Sequence, residues 1–411
     1  VYVKIAIIGA GAAGLMCACV LPVEYSVVVF DKNEMAGKKL LITGKGRCNL
    51  TNLVEPDVFL QSVPQNAKFL SSALNMFAPK DTIEFFESIG IKTQIENNSR
   101  VFPNNGGATA IKQSLENFAI SRGVEFRFGF DVKEIIKTET GFTVANNIDT
   151  RYNFDAVIIA TGGVSFSTTG SSGDGYNFAT KFGQGIISPR PALCGLQFQH
   201  PSGFQGQTIA CGVEIVDGNG TSKTRKVIGD MLFTKNGVSG PIIYKAVSEF
   251  KQHSIQDHIL QIDFVPNLHN GLEVKMSNYL KENAHKKPFY VFRKFVPIAI
   301  ANWLVEVSGL SHVKVCANLT KSERLQLIST IIQACIRIKD FEDIETATIT
   351  RGGVDVGDIN PKTMESELMP NLYFIGEVLD VDGLSGGFNL QIAFSTAVAC
   401  AEALKEKAPL G

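Results

Sequence analysis

The sequence predicts an α/β fold: a parallel-sheet domain interrupted by an insertion that holds a small β subdomain and then a helical subdomain. Three observations carry this. Gly9-Ala10-Gly11-Ala12-Ala13-Gly14 stands between a strand-like and a helix-like segment, the patterning changes after Pro189 and Pro191, and from about residue 345 it reverts to the first style. At 411 residues, 45% of them hydrophobic and 19% charged, the chain predicts two or three domains with a large packed core.

Lys4–Ile8 reads as a buried strand, 12–21 as a helix and Ser26–Asp31 as a second strand, together a βαβ unit. The uncharged stretch 5–23 has the apolarity of a signal peptide or short membrane span. Its spaced glycines, Pro22 and the strand-like run after them are explained together by strand, turn and helix. A loop rich in glycine and lysine runs from Met35 to Asn52, and 79–89 and 108–121 look helical. Glu125–Phe128, 132–136 and 154–160 read as strands, the last ending in Thr161-Gly162-Gly163. Short strand-like pieces separated by Gly, Pro and Asn fill 192–266, and apolar spacing predicts helices over 272–284, 295–307 and 323–338. Finally, 372–375 reads as a buried strand and 387–407 as a glycine-started helix. The expected organisation is 1–191 as the first part of the α/β domain, 192–266 as the β subdomain, 267–344 as the helical one, and 345–411 rejoining the first domain. Because the chain begins at Val1, a removed residue or tag is expected before it.

Lysine and arginine total 39 against 40 acids, a net charge of −1, which argues against nucleic acid as the main partner. The eight cysteines include no C-x-x-C pair, which points to free thiols in a reducing cytoplasm. The six histidines (200, 253, 258, 269, 285 and 312) all fall in the middle region without metal-ligand spacing, so no metal is expected.

In G-x-G-x-x-G, Gly9 permits a tight turn, Gly11 lets backbone approach a pyrophosphate and Gly14 allows close helix–strand packing. The helix N-terminus offers N–H groups and partial positive charge to the phosphates. Asp31 ends the second strand about twenty residues on, where a carboxylate can bind a ribose hydroxyl. This is a Rossmann-like dinucleotide fingerprint, and by itself it leaves NAD and FAD both open.

Further motifs are 37–52 (GKKLLITGKGRCNLTN), 155–163 (DAVIIATGG), 169–176 (TGSSGDGY), 232–241 (LFTKNGVSGP), 361–366 (PKTMES) and 374–391 (FIGEVLDVDGLSGGFNLQ). Together they resemble the bacterial FAD flavoproteins that include aminoacetone oxidase and 3-dehydro-bile-acid Δ4,6-reductase. The resemblance implies an FAD-binding domain of the glutathione-reductase/succinate-dehydrogenase type and FAD-dependent oxidoreductase activity. It places the cofactor against Gly9, Gly11, Ala12, Ala13, Gly14, Asp31 and Lys32, and against the loop residues Lys39, Leu40, Thr43, Gly44, Arg47, Cys48, Asn49 and Asn52. It adds Val132, the turn Ala160-Thr161-Gly162-Gly163, and the C-terminal residues Gly376, Glu377, Gly387, Asn389 and Leu390, with Glu377 on the ribityl chain. The pattern departs at Lys45, where the resemblance expects a third glycine.

The residue chemistry agrees. Lys38, Lys39, Lys45 and Arg47 put positive charge where phosphates and a reduced flavin are negative, although a solvated basic loop reads the same way. Gly386-Gly387 opens the last helix, whose N–H groups could face the flavin N1–O2 edge. Cys48 reads either as a reactive thiol beside Arg47 or as a packing residue. No second G-x-G-x-x-G exists, so NAD(P)H is expected only as a transient electron donor at the flavin. The 169–175 segment also resembles the T-G-D-G segment of fumarate-reductase and ketosteroid-dehydrogenase flavoproteins, which move hydride between flavin N5 and a carbon–carbon double bond. Arg100, Lys45 and Arg351 are candidate polar groups, and no catalytic residue is assigned. The expected function is NAD(P)H-driven reduction of an unsaturated small molecule, with no nucleic acid or membrane as partner. Oxygen-dependent oxidation of a small amine and a flavin sensor or assembly protein without turnover are the alternatives.

Overall fold

The computed structural model describes residues 3–148, 150–200, 203–268 and 270–407; His269 lies outside them. The chain divides into two compact units, Val1–Pro191 with Ile344–Gly411, and Ala192–Asp343.

The first unit is built on a five-stranded parallel sheet in the order Leu372–Phe374, Ala156–Ile159, Lys4–Ile8, Ser26–Asp31, Glu125–Phe128. Its central strands are continuous apolar runs, with Ile5, Ile7, Val29, Ile158 and Phe374 fully buried. A parallel sheet covered on both faces demands this pattern. The first helix, Ala12–Val20, and the last, Phe388–Glu406, pack against each other, so the two ends of the chain share one core. The uncharged 5–23 stretch is therefore strand, turn and helix, and no described helix is long and apolar enough to cross a membrane.

The strand expected over 154–160 is Ala156–Ile159, and Phe154 instead ends a separate strand. Arg151–Phe154 belongs to an antiparallel sheet with Val132–Lys137 and Phe142–Asn146, while Ala156–Ile159 enters the parallel sheet. Asp155 makes the break: its N–H donates to the Lys4 carbonyl at 2.8 Å, and its carboxylate accepts the Lys4 N–H at 2.7 Å.

The second unit holds a seven-stranded antiparallel sheet, ordered Ala334–Arg337, Ile259–Asp263, Thr208–Val216, Val227–Phe233, Gly237–Ser239, Leu196–Gln197, Asp340–Phe341. The helix expected over 323–338 is Lys321–Ile332, started by a capping box between Thr320 and Glu323. The remainder of that stretch, Ala334–Arg337, is a strand paired with Ile259–Asp263. Four residues are too few to separate a 2-residue from a 3.6-residue period. The helix expected over 295–307 is Ile298–Ser308, with Pro297 at its N-cap and a separate short helix, Pro288–Arg293, before it. The helix expected over 272–284 ends at Glu282, and Pro241–Glu249 is an additional helix inside the strand-rich stretch.

Candidate functional site

The glycine turn is tightly packed. A Cβ at Gly14 would lie 1.9 Å from the Gly9 carbonyl oxygen, and one at Gly9, whose φ is +108°, would lie 2.5 Å from the Ala160 oxygen. At Gly11 a Cβ would meet nothing within 4 Å, so the backbone there is open to approach. Gly11 caps Ala12–Val20 without a side-chain hydrogen bond, which leaves the first-turn N–H groups around Ala12, Ala13 and Gly14 for another acceptor. Asp31 braces this turn: Oδ2 accepts the Ala10 N–H at 2.8 Å, and Oδ1 accepts the Asn33 N–H at 2.8 Å. Next to it, Lys32 pairs with Asp174 at 2.6 Å. Burial raises the Asp174 pKa, but hydrogen bonds from Lys32 and Ser172 outweigh it and hold the carboxyl below its ordinary value. Val132, buried at the start of its strand, precedes Lys133, whose charge also reaches Asp174.

Residues far apart in sequence meet at Glu377. Lys39 Nζ lies 2.8 Å from its Oε2, Thr350 donates its backbone N–H to Oε1 at 2.9 Å, and Lys39 also reaches Ser165 Oγ at 2.7 Å. Glu377 follows Gly376, which has a φ of +73°; a Cβ there would meet the Ala13 Cβ at 2.7 Å. The C-terminal segment thus touches the first helix of the fingerprint. Gly387, with a φ of +99°, caps the last helix without a side-chain bond, and a Cβ would lie 2.5 Å from the Thr51 carbonyl. Asn52 donates to the Gly386 carbonyl at 3.1 Å. Asn389 closes the preceding loop through the Gly383 backbone, and Leu390 beside it is half-buried.

The basic loop is divided in its employment. Gly44, Lys45 and Gly46 all adopt left-handed backbone, and Lys45 holds a φ of +57° where glycine was expected. Lys45 is exposed, while Arg47 pairs with Glu96 and stacks 4.2 Å from the Phe102 ring centroid. Thr43 Oγ1 donates to the Leu40 carbonyl at 2.6 Å. Cys48 is fully buried, and burial pushes its thiol up to about 12, which fits the packing alternative. Of the candidate polar groups, Arg351 is buried in a two-pronged ion pair with Asp382, at 2.7 and 2.6 Å, and Arg100 binds the Asn97 carbonyl.

Four buried polar atoms of the motif segments have no hydrogen-bond partner among the described residues: Asn49 Oδ1, Thr51 Oγ1, Thr161 Oγ1 and Tyr176 OH. They accompany Gly163 and Gly387, where a Cβ would lie within 2.5 Å of Thr350 and Thr51, and Gly162, whose φ is +74°. Two uncapped helix starts, close-packed glycines and unpaired polar atoms fit a long polar cofactor such as FAD. Sequence reading missed Ser165 and Thr350. A polar-glycine interruption, Thr350-Arg351-Gly352-Gly353 in the fully buried strand Ile349–Val354, was the available signal. Among the described residues no cluster of His, Cys, Asp and Glu could hold a metal.

A parallel-sheet nucleotide fold with this turn and a returning C-terminal Gly-Glu segment is that of an FAD-dependent oxidoreductase. The chain belongs to the family described as HI0933-like protein Rossmann domain, which matches residues 3–403. It is similar to the ribosomal RNA dihydrouridine synthase of Escherichia coli strain K12, 32% identical over 403 residues, 97% of each chain. The enzyme of the same name from Haemophilus influenzae is 32% identical over 97% of this chain and 98% of that one. The 3-dehydro-bile acid delta(4,6)-reductase of Clostridium scindens is 28% identical over 98% and 99%. Among solved structures, 3-ketosteroid delta1-dehydrogenase from Sterolibacterium denitrificans shares the fold at a TM-score of 0.53 and 13% identity, covering 98% of this chain and 99% of that one.

Proposed function

We propose that this protein, carrying FAD, saturates the C5–C6 double bond of a uridine in ribosomal RNA. The observation that carries the reading is the 32% identity to two ribosomal RNA dihydrouridine synthases through 97% of this chain. That span takes in residues 192–343 as well as the glycine turn and the Gly376-Glu377 segment. The expectation of no nucleic-acid partner rested on a net charge of −1 for the whole chain, a figure that hides local patches.

When bound, FAD supplies a hydride at N5 to the electron-poor carbon of an alkene conjugated to a carbonyl. NAD(P)H is the proposed donor: one NAD(P)H and one proton are consumed per double bond saturated, and NAD(P)⁺ leaves. The chain's part is to hold and polarise. Gly9, Gly11 and the first turn of Ala12–Val20 receive the pyrophosphate, and Asp31 takes a ribose hydroxyl on lone pairs that Ala10 and Asn33 leave over. Lys39, fixed by Glu377 and Ser165, would place a cation beside the bound cofactor, and the uncapped helix start at Gly387 would favour negative charge on it. Thr161, Gly162, Gly163, Asn49 and Asn52 line the same path.

A second reading, reduction of a small unsaturated compound, is favoured by the 28% identity to a reductase whose name specifies carbon–carbon double bonds. One experiment separates them. The holoprotein is incubated anaerobically with NADPH and deproteinised ribosomal RNA, and nucleosides are quantified by mass spectrometry after digestion. Dihydrouridine is the expected product. Unchanged RNA together with rapid reoxidation of the reduced flavin by a steroid dienone would transfer the function to the second reading. Flavin bleaching by a small amine, with peroxide formed in air, would transfer it to an oxidase.

A further inference from the structure

The two units carry opposite charge. Residues 192–343 hold 17 Lys and Arg against 13 Asp and Glu, net +4, while the remainder holds 22 against 27, net −5. Between residues 275 and 294 lie Lys275, Lys281, Lys286, Lys287, Arg293 and Lys294, with Glu282 as the one acid. None of these six cations forms an ion pair among the described residues, although Lys314 and Lys226 of the same unit do. Five of the six are exposed. Unpaired cations within one short segment leave local positive charge that attracts a polyanion.

The structure also sets two of these cations, Lys286 and Lys294, against aromatic rings. Tyr279 OH donates to the Tyr290 carbonyl at 3.3 Å, which ties helix Leu272–Glu282 to helix Pro288–Arg293. Lys294 Nζ stands 4.2 Å from the Tyr279 ring centroid, and Lys286 Nζ stands 6.0 Å from that of Tyr290. Lys275 is one helical turn before Tyr279, and Tyr290 is 48% exposed. Ammonium groups around accessible rings suit RNA, whose phosphates pair with the cations while unstacked bases stack on the rings. A lipid surface needs an apolar stripe beneath the cations. Here Val274 is the one large aliphatic side chain exposed between residues 272 and 294.

We propose that this face of 272–294 is where the protein docks on RNA, through phosphate pairing and base stacking. The proposal rests on the reading that its substrate is RNA, and names the surface that recruits it.

The probe is deproteinised ribosomal RNA titrated into the full-length holoprotein over a salt series. The variant K286Q/K287Q/K294Q should bind about tenfold or more weakly near 0.15 M salt, and the slope of log affinity on log salt should fall by about 2–3 for three lost phosphate contacts. Tyr290→Ala should weaken binding about 5- to 30-fold and leave that slope unchanged, because stacking is lost and charge is not. The control K80Q/K92Q/K181Q, in the first unit, should bind as wild type does. Flavin absorbance reports that each variant is folded, and Tyr290→Ala decides the matter if the triple variant loses it. Wild-type affinity in both the triple variant and Tyr290→Ala overturns the docking surface and leaves the RNA reading standing. A wild-type protein that neither binds the RNA nor yields dihydrouridine overturns both. Phosphatidylglycerol vesicles bound more tightly than RNA, and released by the triple variant alone, would make the surface a lipid one and overturn the proposal.

Discussion

In the parallel sheet of the first unit Ile5, Ala6, Ile7 and Ile8 are all buried in succession, whereas Val227–Phe233 in the second unit alternates between buried and exposed positions. The first pattern belongs to a sheet covered on both faces, the second to a sheet with one face in solvent. Polar groups follow the same division. Arg351 and Asp382 of the first unit are 3% and 1% exposed, each enclosed and each dependent on the other. In the second unit Asp263 is equally buried, but the side chain of its partner Lys226 is 39% exposed. The Arg351–Asp382 pair therefore cannot be altered singly, while at Lys226–Asp263 water can reach the cation's place.

Arg351→Met tests this contrast most severely. It leaves a buried carboxylate without its partner and should cost roughly 3–5 kcal/mol, with much of the loss recovered in Arg351→Met/Asp382→Leu. Lys226→Met also strands a buried carboxylate, but the Lys226 side chain is 39% exposed, so water can enter its place and the loss should be smaller, about 1–3 kcal/mol. Equal losses in urea unfolding of the two variants would break the comparison.

Gly14→Ala places a methyl group 1.9 Å from the Gly9 oxygen and should destabilise the first unit by about 2–3 kcal/mol, read as a lower unfolding temperature of the apoprotein. Gly11→Val, with nothing within 4 Å of its Cβ, should unfold as wild type does yet fail to take up FAD. Flavin retained by Gly11→Val would remove the turn from the cofactor site.

Glu377→Gln keeps the shape of the side chain but gives up its ion pair with Lys39. FAD affinity of the apoprotein should fall by about 1–3 kcal/mol, and turnover with flavin saturating should be nearly unchanged. Normal affinity with turnover abolished would make Glu377 a catalytic acid.

The smallest effect is expected in the second unit. The hydrogen bond from Lys314, and then the Thr320 N–H, lower the Glu323 pKa from 4.5 to about 2. A lowered carboxyl stabilises the folded state fully above pH 4.5, and that contribution is lost as pH falls through about 2. Glu323→Gln should therefore lose less helical circular dichroism than wild type across that window. Identical acid titrations would show that the capping box does not hold Lys321–Ile332.

Much of the first unit was legible because its features are local. A strand, three glycines at set spacing, a helix and an acid at the next strand's end lie within residues 4–31, and each is set by backbone sterics. The family was legible for the same reason, since its motifs are short continuous strings. Other details were not. The break at Asp155 was hidden because Phe154 and Ala156 are both buried, in different sheets. Ala334–Arg337 was read as helix because a four-residue strand after Ile332 carries no period of its own.

The sequence alone determined that a glycine turn would open the first helix, that Gly376-Glu377 would follow a buried strand, and that Cys48 would sit in a glycine-rich loop. Only the tertiary structure decided the partners: Lys39 for Glu377, Glu96 for Arg47, Asp382 for Arg351. It also decided that Lys286 and Lys294 would stand against Tyr290 and Tyr279. The reason is that turns and periods are set by neighbouring residues, whereas a pairing across 338 positions, like Lys39 with Glu377, exists only once the core has brought two distant strand ends together.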